Sequence, residues 1–273
     1  MIQAIAVDMD GTFLKSDNTY DETRFKQIFE QLEKRDIHFI VASGNQYYQL
    51  KSFFPTLQDQ ITFVSENGAL IFESDQLLRS NQFSTDVVQR MLTFLANHDL
   101  DLNVIVCGIH SAYILKNTPK DIHDIVKIYY HRLETLDSFD QLPSDPIVKF
   151  ALNLSVEKVA DFVTEINEAF QGEVKAVASG HGSVDIIIPG MNKGRALEWL
   201  LNRWNLKPDQ LIAFGDANND LEMLALTKNS YAMASSSPTL IETAKYRAPS
   251  NNDSGVLEVL EKELSIKTKI KRT

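Results

Sequence analysis

Apolar runs that do not alternate restrict the fold of this sequence more than any other feature. The segments "AIAV" (from Ala4), "IHFIVAS", "ITFVS", "LIAFG" and "SYAMA" are nearly unbroken apolar stretches. A strand with one wet face alternates apolar and polar residues, whereas a continuous run is buried on both faces, as in a parallel sheet covered by helices. Helical spacing fills the intervals. Phe25, Ile28, Phe29 and Leu32 stand at i, i+3, i+4 and i+7 after the first run, "RALEWLLNRW" precedes "LIAFG", and "DLEMLAL" follows it. Strand, helix and strand in close succession make a βαβ unit. The stretch "ENGALIFES" after the third run reads as a turn and a hairpin. The two ends of the chain therefore share one grammar.

The middle follows another. "LNVIVCG" and "SAYILK" lie too close together for a helical crossover and must pair antiparallel. Helical patterns at "TDVVQRMLTFLANH", "DIHDIVKIYY" and "EKVADFVTEINEAF" are interspersed with strands at "IVKFALNLS" and "SVDIIIP". With 273 residues, 44% of them hydrophobic, the chain can bury two modest cores. The expected architecture is an α/β core formed by residues 1–82 and 190–273, interrupted by an α+β domain over residues 83–189.

Charge and cysteine usage remove several function classes. A net charge of −10 argues against a nucleic-acid or anionic-membrane binder, which would rest on clustered Lys and Arg. Cys107 is the single cysteine, so neither an internal disulfide nor a cysteine zinc site is expected. The chain opens on a strand-like run without a basic leader, and it holds no apolar stretch of membrane-spanning length. A cytoplasmic protein, a monomer or weak dimer with no nucleic-acid or membrane partner, is the expectation. The basic tail "KTKIKRT" reads as a solvated terminus.

Four short segments carry candidate chemistry. In "AIAVDMDGTFL", Asp8 and Asp10 stand where a buried strand would end, the edge at which open α/β sheets bind ligands. Residues two apart in extended backbone project to one side, and Gly11 lets the chain turn away. The same pair would also serve as a helix cap or an Asx turn, and a D-x-D spacing occurs in nucleotide-sugar metal sites. A calcium loop fails, because its glycine belongs at the sixth position and Gly11 is fourth from Asp8. In "VASGN", Ser43 and Gly44 offer a hydroxyl and a backbone N–H at a strand-to-helix junction, a small anion cradle that is also a common turn. Lys193, at the first turn of the helix following "IIIPGMN", opposes the helix dipole, a conflict that a bound anion would remove. In "LIAFGDANNDLEML", Asp216 and Asp220 flank Asn219 after another buried strand. Together with "DMDGT" this loop supplies oxygen ligands from two strand ends, the donor chemistry of Mg²⁺.

"DMDGT", "ASG", "NKG" and "GDANND", in that order, resemble the four motifs of the haloacid dehalogenase superfamily of phosphohydrolases, and the insert between the second and third is similar to the cap of its Cof-type branch. "VASGNQYYQLKSFFP", "ENGAL", "CGIHSAY" and "YYHRL" further resemble the broad-specificity bacterial sugar phosphatases of that branch. One departure is Asn45, where many relatives place an arginine.

The resemblance implies a Rossmann-like core with an inserted α+β cap, and Mg²⁺-dependent hydrolysis of hexose or pentose phosphate monoesters. Asp8 would form an aspartyl-phosphate and Asp10 would act as general acid and base. Each pair of unit charges 4 Å apart is worth roughly 4 kcal/mol at an effective dielectric near 20, so a phosphate dianion among these acids needs a cation. The implied metal ligands are Asp8, Asp216, the backbone carbonyl of Asp10 and, directly or through water, Asp220. Ser43, Gly44, Lys193 and Asn219 would hold the phosphoryl oxygens. A cap would exclude water and contact the sugar, with His110, Ser111, Tyr113, Tyr130, His131 and His181 as candidates, each as readily surface or core. The six histidines show no metal-binding spacing, and Trp199 and Trp204 are expected in the core. Alternatives are a phosphatase for a cofactor precursor or nucleotide, a phosphomutase, a D-x-D glycosyltransferase and a non-catalytic phosphate-binding regulator.

Overall fold

A computed structural model describes residues 1–180 and 182–265; His181 and the basic tail lie outside the described residues. The chain separates into two compact units, one of Met1–Gly44, Thr56–Gln76 and the segment from Asn192 onward, the other of Asn45–Pro55 and Leu77–Met191. No helix among the described residues is long and apolar enough to cross a membrane.

The first unit opens with β1 (Ala4–Val7), α1 (Glu22–Glu33), β2 (His38–Ala42), β3 (Thr62–Ser65) and β4 (Leu70–Glu73); β5 (Gln76–Ser80) starts on its Gln76 and runs on into the residues of the second. The first unit resumes with α6 (Lys193–Arg203), β12 (Leu211–Gly215), α7 (Leu221–Ala225), β13 (Asn229–Ala232), α8 (Pro238–Thr243), β14 (Tyr246–Arg247) and α9 (Gly255–Glu263). The strands form one sheet in the order β14-β13-β12-β1-β2-β3-β4-β5. From β14 to β3 every pairing is parallel, and β3 and β4 form the antiparallel hairpin expected of "ENGALIFES". All four residues of β1 are fully buried, which is why this strand reads as an unbroken apolar run.

Local signals set the helix starts. The Asp21 carboxylate accepts from the Arg24 N–H at the head of α1, and the Asn192 side chain accepts from the Arg195 N–H at the head of α6. Phe25, Ile28, Phe29 and Leu32 form the buried face of α1, where Phe25 meets Phe13 and Phe39 at ring-centroid distances of 5.0 Å. Trp199 and Trp204 correct the sequence expectation, because both, one within α6 and one at its C-terminal end, are half-buried rather than in the core. Trp204 stacks on His38 at 3.8 Å and Trp199 lies under Arg203, so each spends one ring face on a polar neighbour.

Register positions the chemistry. β1 lies between β12 and β2, with Val7 opposite Phe214 on one side and Val41 on the other. The residues that follow these three strands, Asp8, Asp216 and Ser43, thus leave the sheet at one edge and from neighbouring positions.

The second unit contains α2 (Tyr47–Ser52), α3 (Thr85–Asn97), β6 (Val104–Gly108), β7 (Ala112–Leu115), α4 (Lys120–Tyr129), β8 (Leu133–Leu136), β9 (Ile147–Asn153), α5 (Val156–Ala169), β10 (Lys175–Gly180) and β11 (Ser183–Ile187). Its sheet runs β10-β11-β9-β6-β7-β8. All pairings are antiparallel except β7 with β8, which α4 connects as a crossover. Val87, Met91 and Leu95 of α3 and Phe162 and Ile166 of α5 pack with Phe150, Leu152, Val184 and Ile186 of the sheet. The segment after Gly44 is fastened within this unit: Gln46 donates to the Arg132 carbonyl at 2.8 Å and accepts from its N–H at 2.9 Å, while the Arg132 guanidinium sits 3.8 Å above the Tyr48 ring.

Candidate active site

Asp8 directly follows the last residue of β1. Its N–H donates to the Phe214 carbonyl at 3.1 Å, continuing the parallel ladder by one residue, and its side chain is buried. The regular strand ends just before it, yet Asp8 (φ −73, ψ 163) and Asp10 (φ −72, ψ 123) both keep extended backbone angles. Asp10 lies in a turn closed by Phe13 N–H to Asp8 O (3.1 Å) and Leu14 N–H to Met9 O (2.9 Å), with Gly11 at φ 76. Its carboxylate is exposed, yet close enough for its charge to act on Asp8. Gly11 is required twice over, because a Cβ there would need a left-handed residue and would lie 2.5 Å from Asp216 Oδ2.

The acids gather around one lysine. Lys193, the first residue of α6, is fully buried and donates to Asp8 Oδ1 and to Asp220 Oδ1, both at 2.6 Å. The other oxygen of Asp220 accepts from the N–H groups of Asp216 and Ala217, at 3.0 and 3.1 Å. Asp220 thereby closes its own loop and anchors the lysine. Asp216 Oδ1 accepts the Thr12 hydroxyl at 2.8 Å. Thr12 stands in the first motif, but the sequence gives it no task, since a threonine after glycine has no intrinsic partner.

Oxygens of Asp8, Asp216 and Asp220 all lie within 4.8 Å of one another, and among the described residues one ammonium, that of Lys193, is bonded to them. Two negative charges are therefore in excess when all three acids ionise. Burial first pushes the Asp8 carboxyl well above the ordinary carboxylate range; Lys193 opposes this, and Asp220, Asp216 and Asp10 add to it. Asp216 is pushed up to about 6 by burial and then by Asp220, against the Thr12 hydrogen bond and the charge of Lys193. Burial would strip the Lys193 proton, but Asp220 and Asp8 more than offset it and hold the ammonium above its usual value. A cluster of hard oxygen donors that draws protons fits a divalent cation such as Mg²⁺.

Beside the acids, Ser43 follows β2 and is buried, with its N–H on the Val64 carbonyl at 2.9 Å. Asn219 is exposed and donates from Nδ2 to Asn67 Oδ1 at 3.3 Å. Asn67, which the sequence reading left without a role, donates its own N–H to the Ser43 carbonyl at 3.1 Å. Its Asn-Gly dipeptide announces a turn with positive φ, but nothing local announces its partners.

The six residues considered for the leaving group divide in three. His110 and His131 are exposed. Ser111, Tyr113 and Tyr130 are buried, and the first two serve Asp145, whose carboxylate accepts the Ser111 N–H at 3.1 Å and the Tyr113 hydroxyl at 2.8 Å. His181 is outside the described residues.

The profile of the haloacid dehalogenase-like hydrolases matches residues 5–260. The chain belongs to that family. It is 41% identical over 263 residues to the 5-amino-6-(5-phospho-D-ribitylamino)uracil phosphatase YbjI of Escherichia coli, covering 96% of both chains. A Bacillus subtilis phosphatase of the same name, YitU, is 25% identical over 277 residues, 96% of this chain and 97% of its own. Among solved structures, a Streptococcus mutans protein superposes with a TM-score of 0.91 at 39% identity, over 97% of this chain and 100% of the other. The chain is thus an α/β phosphoric monoester hydrolase of the haloacid dehalogenase superfamily, Cof-type, acting on a small phosphorylated substrate.

Proposed function

We propose that this hydrolase removes the phosphate of a small phosphorylated polyol, through an aspartyl-phosphate on Asp8. The carrying observation is the cluster at the end of β1: a buried carboxylate fixed by Lys193 and crowded by Asp216 and Asp220. An Asp8 oxygen attacks phosphorus, the P–O ester bond breaks, and the Asp10 carboxyl gives its proton to the leaving alkoxide. Asp10, now a carboxylate, takes a proton from water as that water attacks the phosphoryl group, and orthophosphate leaves with Asp8 restored. The exposed position of Asp10 suits a group that meets first the leaving oxygen and then water.

Lys193 orients Asp8 through its bond to Oδ1, and its own position is set by Asp220. Asp8, Asp216 and the Asp10 carbonyl would hold Mg²⁺, with Asp220 acting on it through Lys193 and the loop it closes. When bound, that ion supplies the positive charge the acids lack and stabilises charge on the phosphoryl oxygens. Ser43, the Gly44 N–H and Asn219 would take the remaining oxygens. The second unit, in this reading, recognises the leaving group, and the enzyme works in the cytoplasm.

The names of two relatives support a substrate other than a hexose phosphate. Two proteins bear the name of an enzyme whose substrate carries its phosphate on a ribityl chain joined to a uracil, which is both a five-carbon polyol phosphate and a nitrogen-ring metabolite. A cofactor-precursor-like substrate of that class is favoured over a free sugar phosphate. Orthophosphate release with Mg²⁺ from a panel of that compound, pentitol phosphates, hexose phosphates and nucleoside monophosphates tests this. The highest kcat/KM is expected on the ribityl compound; a flat profile across the sugars would overturn the substrate assignment. Borohydride trapping during turnover should convert Asp8 to homoserine, and an unmodified Asp8 under turnover would remove the covalent step.

A further inference from the structure

The turn Glu66-Asn67-Gly68 between β3 and β4 touches three of the four segments that build the site. Asn67 is buried and sits in the left-handed region, at φ 56 and ψ 30. An asparagine holds that conformation at little cost and still presents a short amide with both donors and an acceptor. Its N–H fastens the Ser43 carbonyl at 3.1 Å, and its Oδ1 receives Asn219 Nδ2 at 3.3 Å across 152 residues of sequence. A Cβ added to Gly44 would lie 3.0 Å from Asn67 Oδ1 and 3.1 Å from Nδ2, so the amide is seated directly against that glycine. On the far side, a Cβ on Gly68 would come within 2.4 Å of the Asn192 carbonyl, and Asn192 is the residue that caps α6 immediately before Lys193.

We propose that Asn67 is a positioning residue for the phosphoryl-binding groups: it holds Asn219 and the Ser43–Gly44 junction in register with each other. Asn219 needs such a hold, because it is exposed on a short turn and an unrestrained side chain there must be ordered each time a ligand binds. Fixing it in advance moves that ordering cost from the binding step to the folding of the protein, as donors directed at developing charge require. The inference rests on the phosphomonoesterase reading of the Asp8 site and adds a residue that touches neither phosphorus nor metal in that reading.

A double-mutant cycle on the full chain tests it. Asn67→Gly keeps the left-handed backbone and removes the amide, Asn219→Ala removes its partner, and the pair is combined. The readouts are orthophosphate affinity by calorimetry with Mg²⁺ present and kcat/KM on p-nitrophenyl phosphate. Each single change is expected to weaken both by about tenfold, and the double variant to be no more than about twofold worse than Asn219→Ala alone. Wild-type behaviour of Asn67→Gly, or effects that multiply in the double variant, would overturn the proposal. If Asn67→Gly does not fold, Asn67→Ala, which also removes the amide, enters the same cycle with the same criterion of coupling. Because the orthophosphate cycle needs no turnover, an Asp8→Asn variant that still hydrolyses substrate would defeat the catalytic reading without deciding the Asn67 result.

Discussion

Two carboxylates, one in each unit, are buried to nearly the same degree and treated in opposite ways. Asp145 accepts from the backbone N–H groups of Ile109, His110 and Ser111 at 3.0–3.2 Å and from the Tyr113 hydroxyl at 2.8 Å. Its donors are neutral and converge from one hairpin, that of β6 and β7. Gly108 makes this possible, since a Cβ there would lie 2.1 Å from Asp145 Oδ2. Asp8 has instead one lysine, shared with Asp220, and the like charges of Asp216, Asp220 and Asp10 around it. Dipoles aimed at Asp145 finish its solvation and build a loop. Charges crowded on Asp8 leave it unfinished, and an unfinished buried anion is a place for a cation and a reacting group.

The largest expected effect separates the two by activity. Asp8→Asn should lower turnover by a factor on the order of 10⁴ or more, as removal of a covalent nucleophile does. The same change relieves repulsion, so its melting temperature without metal should equal or exceed that of the wild type. A variant both inactive and unfolded would break the contrast.

Asp145→Ala should show the reverse sign. It strands several buried N–H groups and a tyrosine hydroxyl, and the expected loss is about 2–4 kcal/mol of stability, read from urea unfolding. A loss under about 0.5 kcal/mol would mean that the loop does not depend on this carboxylate.

Metal and pH sharpen the comparison further. Asp216 binds its proton more tightly in the folded protein, with a value of about 6 against an ordinary 3.8. Its protonation therefore stabilises the metal-free protein fully below the ordinary value, and that contribution is lost as pH rises through about 6. Mg²⁺ competes with the same proton, so its stabilisation should be largest above pH 7 and should shrink as pH falls through about 6. Thermal melts with Mg²⁺ or EDTA across that range measure it; an increment independent of pH would remove Asp216 from the metal site. The smallest effect belongs to an exposed acid: Asp86→Ala, which breaks the solvent-exposed pair with Arg90, should cost under about 1 kcal/mol in the same urea assay.

The strand ends were legible in the sequence because burial on both faces forces unbroken apolar runs, and the acids stand immediately after them. The partners of those acids were less so. Lys193 could be placed at a helix start, but its complete burial between Asp8 and Asp220 follows from the approach of α6 to the sheet, a long-range fact. Thr12 and the Asn67 side chain each bond a residue more than 150 positions away, and local propensity carries no information about those partners. The tie from Gln46 to Arg132 was equally silent. In the second unit, β8 and β10 were not foreseen; β8 has no fully buried residue and lacks the unbroken apolar run that marks the first unit's strands.

The central claim is that Asp8 and Asp216 share a divalent cation. Crystals grown with Mn²⁺ in place of Mg²⁺ and measured for anomalous scattering test it most directly. The account predicts one strong peak about 2.1 Å from an oxygen of Asp8 and an oxygen of Asp216. A peak elsewhere, or none there at metal concentrations that support turnover, would contradict it.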